Sequence, residues 1–258
     1  MSITKNEVWK KRSIIWDFAI FDLKIRYRNS ILGFVWNFLE PLLLLSVLYV
    51  VFTNVFKSTI EYFPLYLLLG LIMWNMLVRG TQIALNSTLS RSGILTQIHI
   101  PNEIPPISAS LTALLMLTFE MMVFVAFLVA FQFIPPNTII VFPLVLLLEF
   151  ILIIGLSLPL SVLNIRFRDT QFIWSVILQV GFFVTPIFYK IDILPEKFQS
   201  ILVFNPMVQV LNFAHDAVLY GKLPTIENVI LAVAMVSLIF VIGYVIFRKL
   251  SPRIIEEL

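Results

Sequence analysis

Residues Arg26–Leu43, RYRNSILGFVWNFLEPLL, place two arginines directly before an apolar run that itself contains Glu40 and Pro41. The 258-residue chain around this stretch is 60% hydrophobic and only 13% charged. Because a soluble domain carries about 25% charged residues, the composition predicts an integral membrane protein. Helices satisfy their backbone hydrogen bonds internally within a bilayer, so the fold is predicted to be all-α.

Long apolar runs define the expected topology. A membrane-spanning helix needs about 20 consecutive apolar residues, and we predict six transmembrane helices in one domain of residues 1–258. Their approximate bounds are 31–56, 63–85, 107–131, 139–163, 172–189 and 229–247. Pro41, inside the first run, predicts a kink that neighbouring helices accommodate.

Basic residues are distributed unevenly between the two sides of this arrangement. Most lie before the first run, after the second, after the fourth, or after the sixth. The other side holds only Lys57, Lys190, Lys197 and Lys222. The positive-inside rule therefore predicts a multi-pass protein of the cytoplasmic membrane with both termini in the cytoplasm. Arg79, near the inner end of the second run, is expected to extend its side chain to the membrane surface.

The segment before the first run, from about residue 13 to 28, has the pattern of a helix lying along the membrane surface. An apolar stripe at helical spacing is formed by Ile14, Phe18, Phe21 and Ile25. Asp22 and Arg26 lie four residues apart on another face and are expected to pair. We predict an amphipathic interface helix followed by a turn at Leu32-Gly33. The alternative is a simple anchor with stop-transfer charges.

The segment between the fifth and sixth runs, Lys190–Asn228, is apolar but too interrupted to span. It predicts two short helices that break at Asn205-Pro206. Such helices re-enter the membrane where protein or a water-filled cavity shields their backbone. The alternative is a pair of surface helices at the level of the headgroups.

The residue types present limit the possible chemistry. There is no cysteine, and His99 and His215 do not have metal-ligand spacing. The phosphate-binding pattern GxxxxGK[ST] is absent as well. We expect no catalytic residue, metal or cofactor in this chain, so any ATP chemistry that it uses must come from a partner. The net charge of +3 reflects topology rather than a nucleic-acid partner.

Several segments resemble, in order and spacing, the membrane subunits of ABC exporters for cell-surface polysaccharides of the O-antigen, teichoic acid and capsule types. The first, DLKIRYRNSILGFVWNFLEPLL, carries an arginine-tyrosine-arginine cluster, then leucine-glycine, tryptophan and proline-leucine. The others are LLLGLIMWNM, ILTQIHIPNEIPP, RFRDTQFIW, VTPIFYKIDILP and NPMVQVLNFAHDAVLYGKLP. The resemblance runs from about residue 15 to the C-terminus. It departs at His215, where many relatives have arginine.

This resemblance implies the permease subunit of an ATP-driven ABC-2-type exporter of an undecaprenyl-type lipid-linked glycan. It also implies a dimer of the six-span subunit with two cytoplasmic ATPase subunits, which bind ATP and Mg. The alternatives are a proton-coupled secondary carrier and an ABC exporter of a drug or simple lipid. The sequence has no internal repeat of the kind that many carriers show.

The loop between the second and third runs, Ser90–Pro105, is the candidate surface for the ATPase. By the resemblance it forms the coupling helix, which docks into a groove of the partner. Its candidate residues are Arg91, Ile94, Leu95, Ile98, His99 and Pro101. The alternative is an ordinary cytoplasmic loop.

Arginines on the cytoplasmic side are candidate ligands for a lipid headgroup, because guanidinium groups bind phosphate well. We assign the access point of a lipid-linked substrate to Arg26, Arg28, Gly33 and Arg168. The alternative is that these arginines only fix the topology and cap helices.

Residues within the predicted spans are candidates for a channel lining, because aromatic faces stack on the apolar faces of sugar rings. The candidates are Trp36, Phe38, Tyr49, Tyr66, Trp74, Phe119, Glu120 and Glu149. Aromatic residues more commonly face lipid or form interface belts. The glutamates alternatively form structural hydrogen bonds or a proton relay. An outer gate is assigned to Pro186, Tyr189, Asn205, Pro206 and His215.

Overall fold

The computed structural model describes residues 5–28, 30–54, 60–97 and 100–253. Every regular element in these ranges is helical, in agreement with the predicted all-α class. The α-helices, numbered α1 to α10, are Lys5–Arg26, Trp36–Asn54, Phe63–Ser87, Ser92–Leu95, Ile104–Ala130, Phe142–Arg166, Thr170–Val184, Glu196–Leu202, Pro206–His215 and Ile226–Leu250. Short 3-10 turns at Gly33–Val35 and Asn137–Val141 lead into α2 and α6, and a π-helical turn at Asp216–Tyr220 extends α9.

Within the described ranges, five helical segments are long and apolar enough to cross a membrane. They are Gly33–Asn54, Phe63–Ser87, Ile104–Ala130, Asn137–Arg166 and Ile226–Leu250, and they coincide with five of the predicted spans. The remaining predicted span, 172–189, corresponds to α7, which has 15 residues and extends about 22 Å. It ends at Val184 because Thr185, which precedes a proline, has an extended backbone. The protein is a multi-pass membrane protein.

Helix α3 forms the centre of the bundle. In its most apolar stretch 83% of the residues are buried, and α2, α5, α6, α7 and α9 all pack against it. Glycines allow these close approaches: a Cβ on Gly80 would lie 2.6 Å from Ile153 of α6, and one on Gly70 would lie 3.0 Å from the Ile187 carbonyl oxygen. In contrast, α2 and α10 bury only 17% of their apolar stretches, so they direct most of their apolar surface outward.

Helix α1 packs against α5. Ala19 is fully buried there, and its carbonyl oxygen accepts a hydrogen bond of 3.3 Å from the Thr112 hydroxyl. The Lys11 ammonium lies 3.3 Å from the Glu103 carboxylate, just before α5 begins. The helix starts earlier than predicted, at Lys5 rather than at about residue 13.

The predicted pairing of Asp22 with Arg26 is wrong. Asp22 accepts a hydrogen bond from Arg91, in the loop that follows α3, and Arg26 is exposed. The guanidinium of Arg91 also lies 4.8 Å from the ring centre of Phe18. Arg91 is only 6% exposed, so its buried charge needs a carboxylate, whereas an exposed pair at four-residue spacing contributes only a few tenths of a kcal/mol.

The turn predicted at Leu32-Gly33 is present. Gly33 has φ +49°, a conformation that glycine adopts at low cost. Its N–H donates to the Ser30 hydroxyl at 3.1 Å. The chain thereby passes from α1 into α2, within which Pro41 is buried.

Candidate functional site

An open groove of about 790 Å³ lies where the end of α1 meets the first half of α2. Its polar end is formed by Arg26, Tyr27, Ser30, Trp36 and Glu40. Further along α2 the lining becomes aliphatic, with Leu43, Leu44 and Val47. This order follows from the sequence, because the apolar run begins directly after the polar turn. A molecule with an anionic head and a hydrocarbon tail matches the two halves of this groove.

A buried arginine lies directly behind the groove. Arg79 of α3 donates from Nη2 to the Glu40 carboxylate at 2.7 Å, and from Nη1 to the Asn37 amide oxygen at 3.0 Å. The same Nη1 forms a buried salt bridge with Glu120 of α5. Arg79 thus connects α2, α3 and α5 through a single guanidinium, whose planar fork suits several acceptors at once.

Arg79 therefore does not extend to the membrane surface as predicted. Its side chain is 6% exposed, because two carboxylates and an amide satisfy the guanidinium inside the bundle. Glu120 is similarly buried, at 1%, whereas the Glu40 side chain is 56% exposed and lines the groove. Glu40 is thus the accessible member of this cluster.

Tyr27 and Asn37 belong to the same network, and the sequence-based analysis missed them. The Tyr27 hydroxyl donates to the Asn37 side-chain oxygen at 3.1 Å, and the Asn37 amide donates to the Met116 carbonyl oxygen at 3.1 Å. A signal was present in the sequence: Asn37 and Glu40 are polar residues three positions apart, so they share one face of α2. A polar face within an apolar run indicates a polar partner on a neighbouring helix.

The four residues assigned to headgroup access are only partly brought together. Arg26 lines the groove, and Gly33 makes the turn beside it. Arg28 is exposed in the same turn but is not part of the lining. Arg168 is exposed between α6 and α7 and also lies outside the groove lining.

Some of the residues assigned to ATPase coupling are buried and others are exposed. Arg91 and Leu95 are buried, and Arg91 Nη1 donates to the Ser87 carbonyl oxygen at 3.1 Å. Ile94 is 42% exposed, and Pro101 is half-buried. The remaining two predicted residues, Ile98 and His99, lie outside the described residues. Ile94 is therefore the described apolar residue of this loop that a partner is able to reach.

Aromatic residues assigned to a channel lining occupy two environments. Trp36 and Tyr49 of α2 are 45% and 40% exposed, whereas Trp74 and Tyr66 of α3 are buried. Trp74 packs against α7, where a Cβ on Gly181 would lie 2.9 Å from its indole. The two remaining aromatics, Phe38 and Phe119, are half-buried and each contacts the ring of Phe34 edge-on, with centroid distances of 5.6 and 4.5 Å.

Glu149 of α6 has a different environment from the other predicted lining residues. It is 0% exposed, and neither of its carboxyl oxygens has a hydrogen-bond partner among the described residues. An ionised carboxylate in such surroundings is very costly, so the group is neutral. Glu149 therefore lies inside the helix packing rather than at an open surface.

Three of the five residues assigned to the outer gate, Pro186, Tyr189 and His215, contact Tyr66 of α3. The Tyr66 and His215 rings stack with centroids 3.8 Å apart, and His215 Nε2 lies 2.9 Å from the Tyr66 carbonyl oxygen. The Tyr66 hydroxyl donates to the Pro186 and Tyr189 carbonyl oxygens at 3.3 and 3.0 Å. Asn205 lies at the other end of α9, where its side chain caps the helix by accepting from the Met207 N–H at 3.0 Å, with Pro206 at the first helical position.

Burial lowers the pKa of His215 to about 4, and the nearby Lys190 ammonium acts in the same direction. The ring is therefore neutral at physiological pH, as stacking against Tyr66 within a packed junction requires. The predicted break at Asn205-Pro206 is present between α8 and α9, because the Asn205 backbone is extended.

The bundle of helices long and apolar enough to cross a membrane defines a multi-pass membrane protein. The sequence matches the ABC-2 type transporter family over residues 18–219, and the chain belongs to this family. It is 30% identical to the O-antigen export system permease protein RfbA of Myxococcus xanthus over 236 residues, 90% of each chain. It is 29% identical to the protein of the same name in Klebsiella pneumoniae over 238 residues, 92% of each chain.

A further relative has a different named cargo. The polysialic acid transport protein KpsM of Escherichia coli is 24% identical over 203 residues, which are 78% of this chain and 79% of that protein. Proteins of this family are transport subunits that work with an ATPase partner. The family match, over residues 18–219, includes the end of α1, the groove and the loop after α3.

Proposed function

We propose that this chain is the permease subunit of an ATP-driven exporter that carries a lipid-linked cell-surface polysaccharide across the cytoplasmic membrane. The observation that carries this proposal is the similarity to O-antigen export permeases over 90% of the chain or more. The groove between α1 and α2 supports it, because its polar end and aliphatic end match a phosphate headgroup and a polyprenyl tail.

In this proposal the substrate headgroup binds at the cytoplasmic side, in the groove near Arg26 and Gly33, and the exposed Arg28 and Arg168 outside the groove lining attract it to that side. The glycan then passes along aromatic residues between two copies of this chain, and the junction formed by α8 and α9 closes the outer side. Both termini lie in the cytoplasm. Two copies of a P-loop ATPase bind ATP and Mg, and this chain supplies no catalytic group.

Coupling to the ATPase occurs through the loop between α3 and α5. Ile94 offers an exposed apolar contact, whereas Arg91 fastens the loop to α1 through Asp22. A push on this loop therefore reaches both the central helix α3 and the helix that borders the groove. The charges of this largely buried pair are screened less by salt than those of an exposed pair.

The proposal is tested by purifying the chain from its native membrane and assaying the preparation for ATP hydrolysis. A co-purified P-loop ATPase that is lost in Ile94→Glu supports the exporter and the coupling loop together. Gln97→Glu is the matched control, because it adds the same charge at an exposed position of the loop without removing an apolar side chain. Retention of the ATPase by Ile94→Glu would contradict the proposed docking surface.

A secondary carrier is the alternative that the neutral, buried Glu149 favours. A carrier of this kind purifies without an ATPase, and its transport follows the proton gradient rather than ATP. Reconstituted vesicles given either ATP or a pH gradient distinguish the two mechanisms. The same vesicles are also given the lipid without its glycan. Transport of this lipid alone would indicate an exporter of a drug or simple lipid.

A further inference from the structure

We propose that Glu40 occupies an anion position on Arg79 that the diphosphate of the lipid-linked substrate takes when it enters the groove. The inference rests on the function proposed above, and it assigns the acidic residue a role in controlling the site. Glu40 holds Arg79 Nη2 at 2.7 Å and also lines the groove, so it separates a buried cation from an accessible binding surface.

The two amino groups of the Arg79 guanidinium differ in their surroundings. Nη1 is bound to Asn37 and Glu120, both of which are 1% exposed. Nη2 binds Glu40, whose side chain is 56% exposed. Moving Glu120 away would leave a carboxylate unpaired inside the bundle, whereas the exposed Glu40 is able to turn away from Arg79 and be hydrated. Replacing Glu40 at Nη2 by another anion therefore costs less free energy than replacing Glu120 at Nη1.

The second carboxyl group on Arg79 weakens the hold of Glu40, and Arg26 offsets the charge of an incoming anion. A single guanidinium faces the carboxyl groups of Glu40 and Glu120, and two like charges around one cation repel each other. Phosphate oxygens, like carboxylate oxygens, form charge-assisted bonds with guanidinium groups, so a diphosphate replaces the bond that Arg79 loses. Arg26, at the polar end of the same groove, supplies a second positive charge for a diphosphate.

The remainder of the groove favours a lipid over a free anion. Leu43, Leu44 and Val47 extend the lining along α2 beyond Glu40, and they match a polyprenyl chain attached to the phosphate. The volume of about 790 Å³ lies within the range of small-molecule sites. We therefore assign the groove to a polyprenyl diphosphate, with the diphosphate near Arg79 and the chain along α2.

The exchange would also change how the helices are connected. The ion pair between Glu40 and Arg79 joins α2 directly to α3, whereas the pair between Arg79 and Glu120 joins α3 to α5. Displacement of Glu40 breaks the first connection and keeps the second. Arg79 also keeps its hydrogen bond to Asn37 of α2. Substrate binding thereby removes one of the two links from Arg79 to α2 and loosens this helix against the central helix, which is a local charge event with a mechanical consequence.

The test is equilibrium binding of radiolabelled undecaprenyl diphosphate to the permease–ATPase complex in nanodiscs of zwitterionic lipid. Removing the competing charge in Glu40→Gln is expected to tighten binding about ten-fold, since the ligand no longer displaces a carboxylate. The matched control is Glu61→Gln, an exposed glutamate before α3 and outside the groove lining, which should leave binding unchanged. A purely structural role for Glu40 predicts weaker or equal binding in Glu40→Gln.

The possible outcomes separate this inference from the proposed function. Equal or weaker binding in Glu40→Gln, with clear binding by the wild type, overturns the role of Glu40 and leaves the exporter intact. Absence of binding in both proteins overturns the substrate class as well. Competition by inorganic pyrophosphate as strong as by the lipid overturns the assignment of the aliphatic half. A changed subunit number of Glu40→Gln in native mass spectrometry would make the groove an interface between copies and would overturn the inference.

Discussion

At the scale of single residues, the stability of the protein interior depends on whether each buried charge has a partner of opposite charge. Arg79 has two carboxylates and an amide within hydrogen-bond distance. Removing one member of a buried ion pair typically costs about 3–5 kcal/mol because the other charge is left unpaired. The cluster therefore stabilises the contact between α2, α3 and α5 only while its members remain together. This requirement explains how an arginine is accommodated in the most deeply buried helix.

Glu149 presents the opposite case, a buried carboxyl group without a partner among the described residues. We expect Glu149→Gln to retain export and stability, because it replaces one neutral polar group with another of the same shape. Glu149→Leu should stabilise the protein by about 1 kcal/mol, since it removes an unsatisfied buried polar group. Thermal unfolding and ATP-driven export of the two variants provide the measurements. Loss of transport in Glu149→Gln would instead indicate a proton-relay role.

At the scale of helices, α6 and α10 meet at two glycines. A Cβ on Gly243 would lie 2.0 Å from the Gly155 carbonyl oxygen, and a Cβ on Gly155 would lie 2.8 Å from the Phe240 Cα. Both obstacles are backbone atoms, so no side-chain movement relieves them. Close backbone approach at small residues is a principal source of stability between membrane helices, where packing replaces the hydrophobic effect.

Gly243→Ala should therefore separate α6 from α10 and destabilise the protein by about 3 kcal/mol, the upper range for overpacking. Size-exclusion chromatography and thermal unfolding in detergent measure this effect. Gly93→Ala is the control, because a Cβ at Gly93 has no atom within 4 Å and should change stability by less than about 0.5 kcal/mol. Equal stability of the two variants would refute the close-packing argument.

The outer junction should respond to acid through His215. Its pKa is lowered to about 4 by burial, whereas in the unfolded chain it is about 6.5. Between these values the unfolded state binds a proton that the folded state does not, so stability falls as pH decreases from about 6.5 to about 4. Over this range the free energy of unfolding falls by about 3 kcal/mol, because each pKa unit between the folded and unfolded states corresponds to about 1.4 kcal/mol.

The measurement is thermal unfolding at pH 7 and pH 4.5 for the wild type and His215→Phe. The phenylalanine ring preserves an aromatic face against Tyr66 but cannot be protonated. The difference between the two pH dependences isolates His215 from other groups, including Asp216, whose pKa burial raises. An identical pH dependence in both proteins would show that the histidine does not control the junction.

At the scale of the whole molecule, composition and hydropathy were sufficient for the class, the sites of most helices and the break at Asn205-Pro206. These features depend on local sequence, because the bilayer sets the length that each apolar run must have. Contacts between distant helices could not be derived in this way. Arg79 and Glu40 are separated by 39 positions, and Arg91 and Asp22 by 69. Such pairs depend on how helices cross, which hydropathy does not encode.

The contact between Asp22 and Arg91 illustrates the consequence for coupling. It joins α1, which borders the groove, to the loop proposed to receive the ATPase. Together with Lys11–Glu103 and the hydrogen bond from Asn102 to the Ser251 carbonyl oxygen, it ties the segments at one end of the bundle to each other. A displacement of the loop should therefore move α1 along with α3.

We expect Asp22→Asn to retain ATP hydrolysis by the assembled complex while export falls on the order of ten-fold. The substitution removes one charge from a largely buried ion pair, a loss of about 1.5–3 kcal/mol, and loosens α1 from the loop without altering the exposed Ile94. Asp17→Asn is the matched control, because Asp17 is exposed on the same helix. ATP hydrolysis and substrate export are measured on the same proteoliposomes. Export by Asp22→Asn at the wild-type rate would show that force reaches the groove through α3 alone.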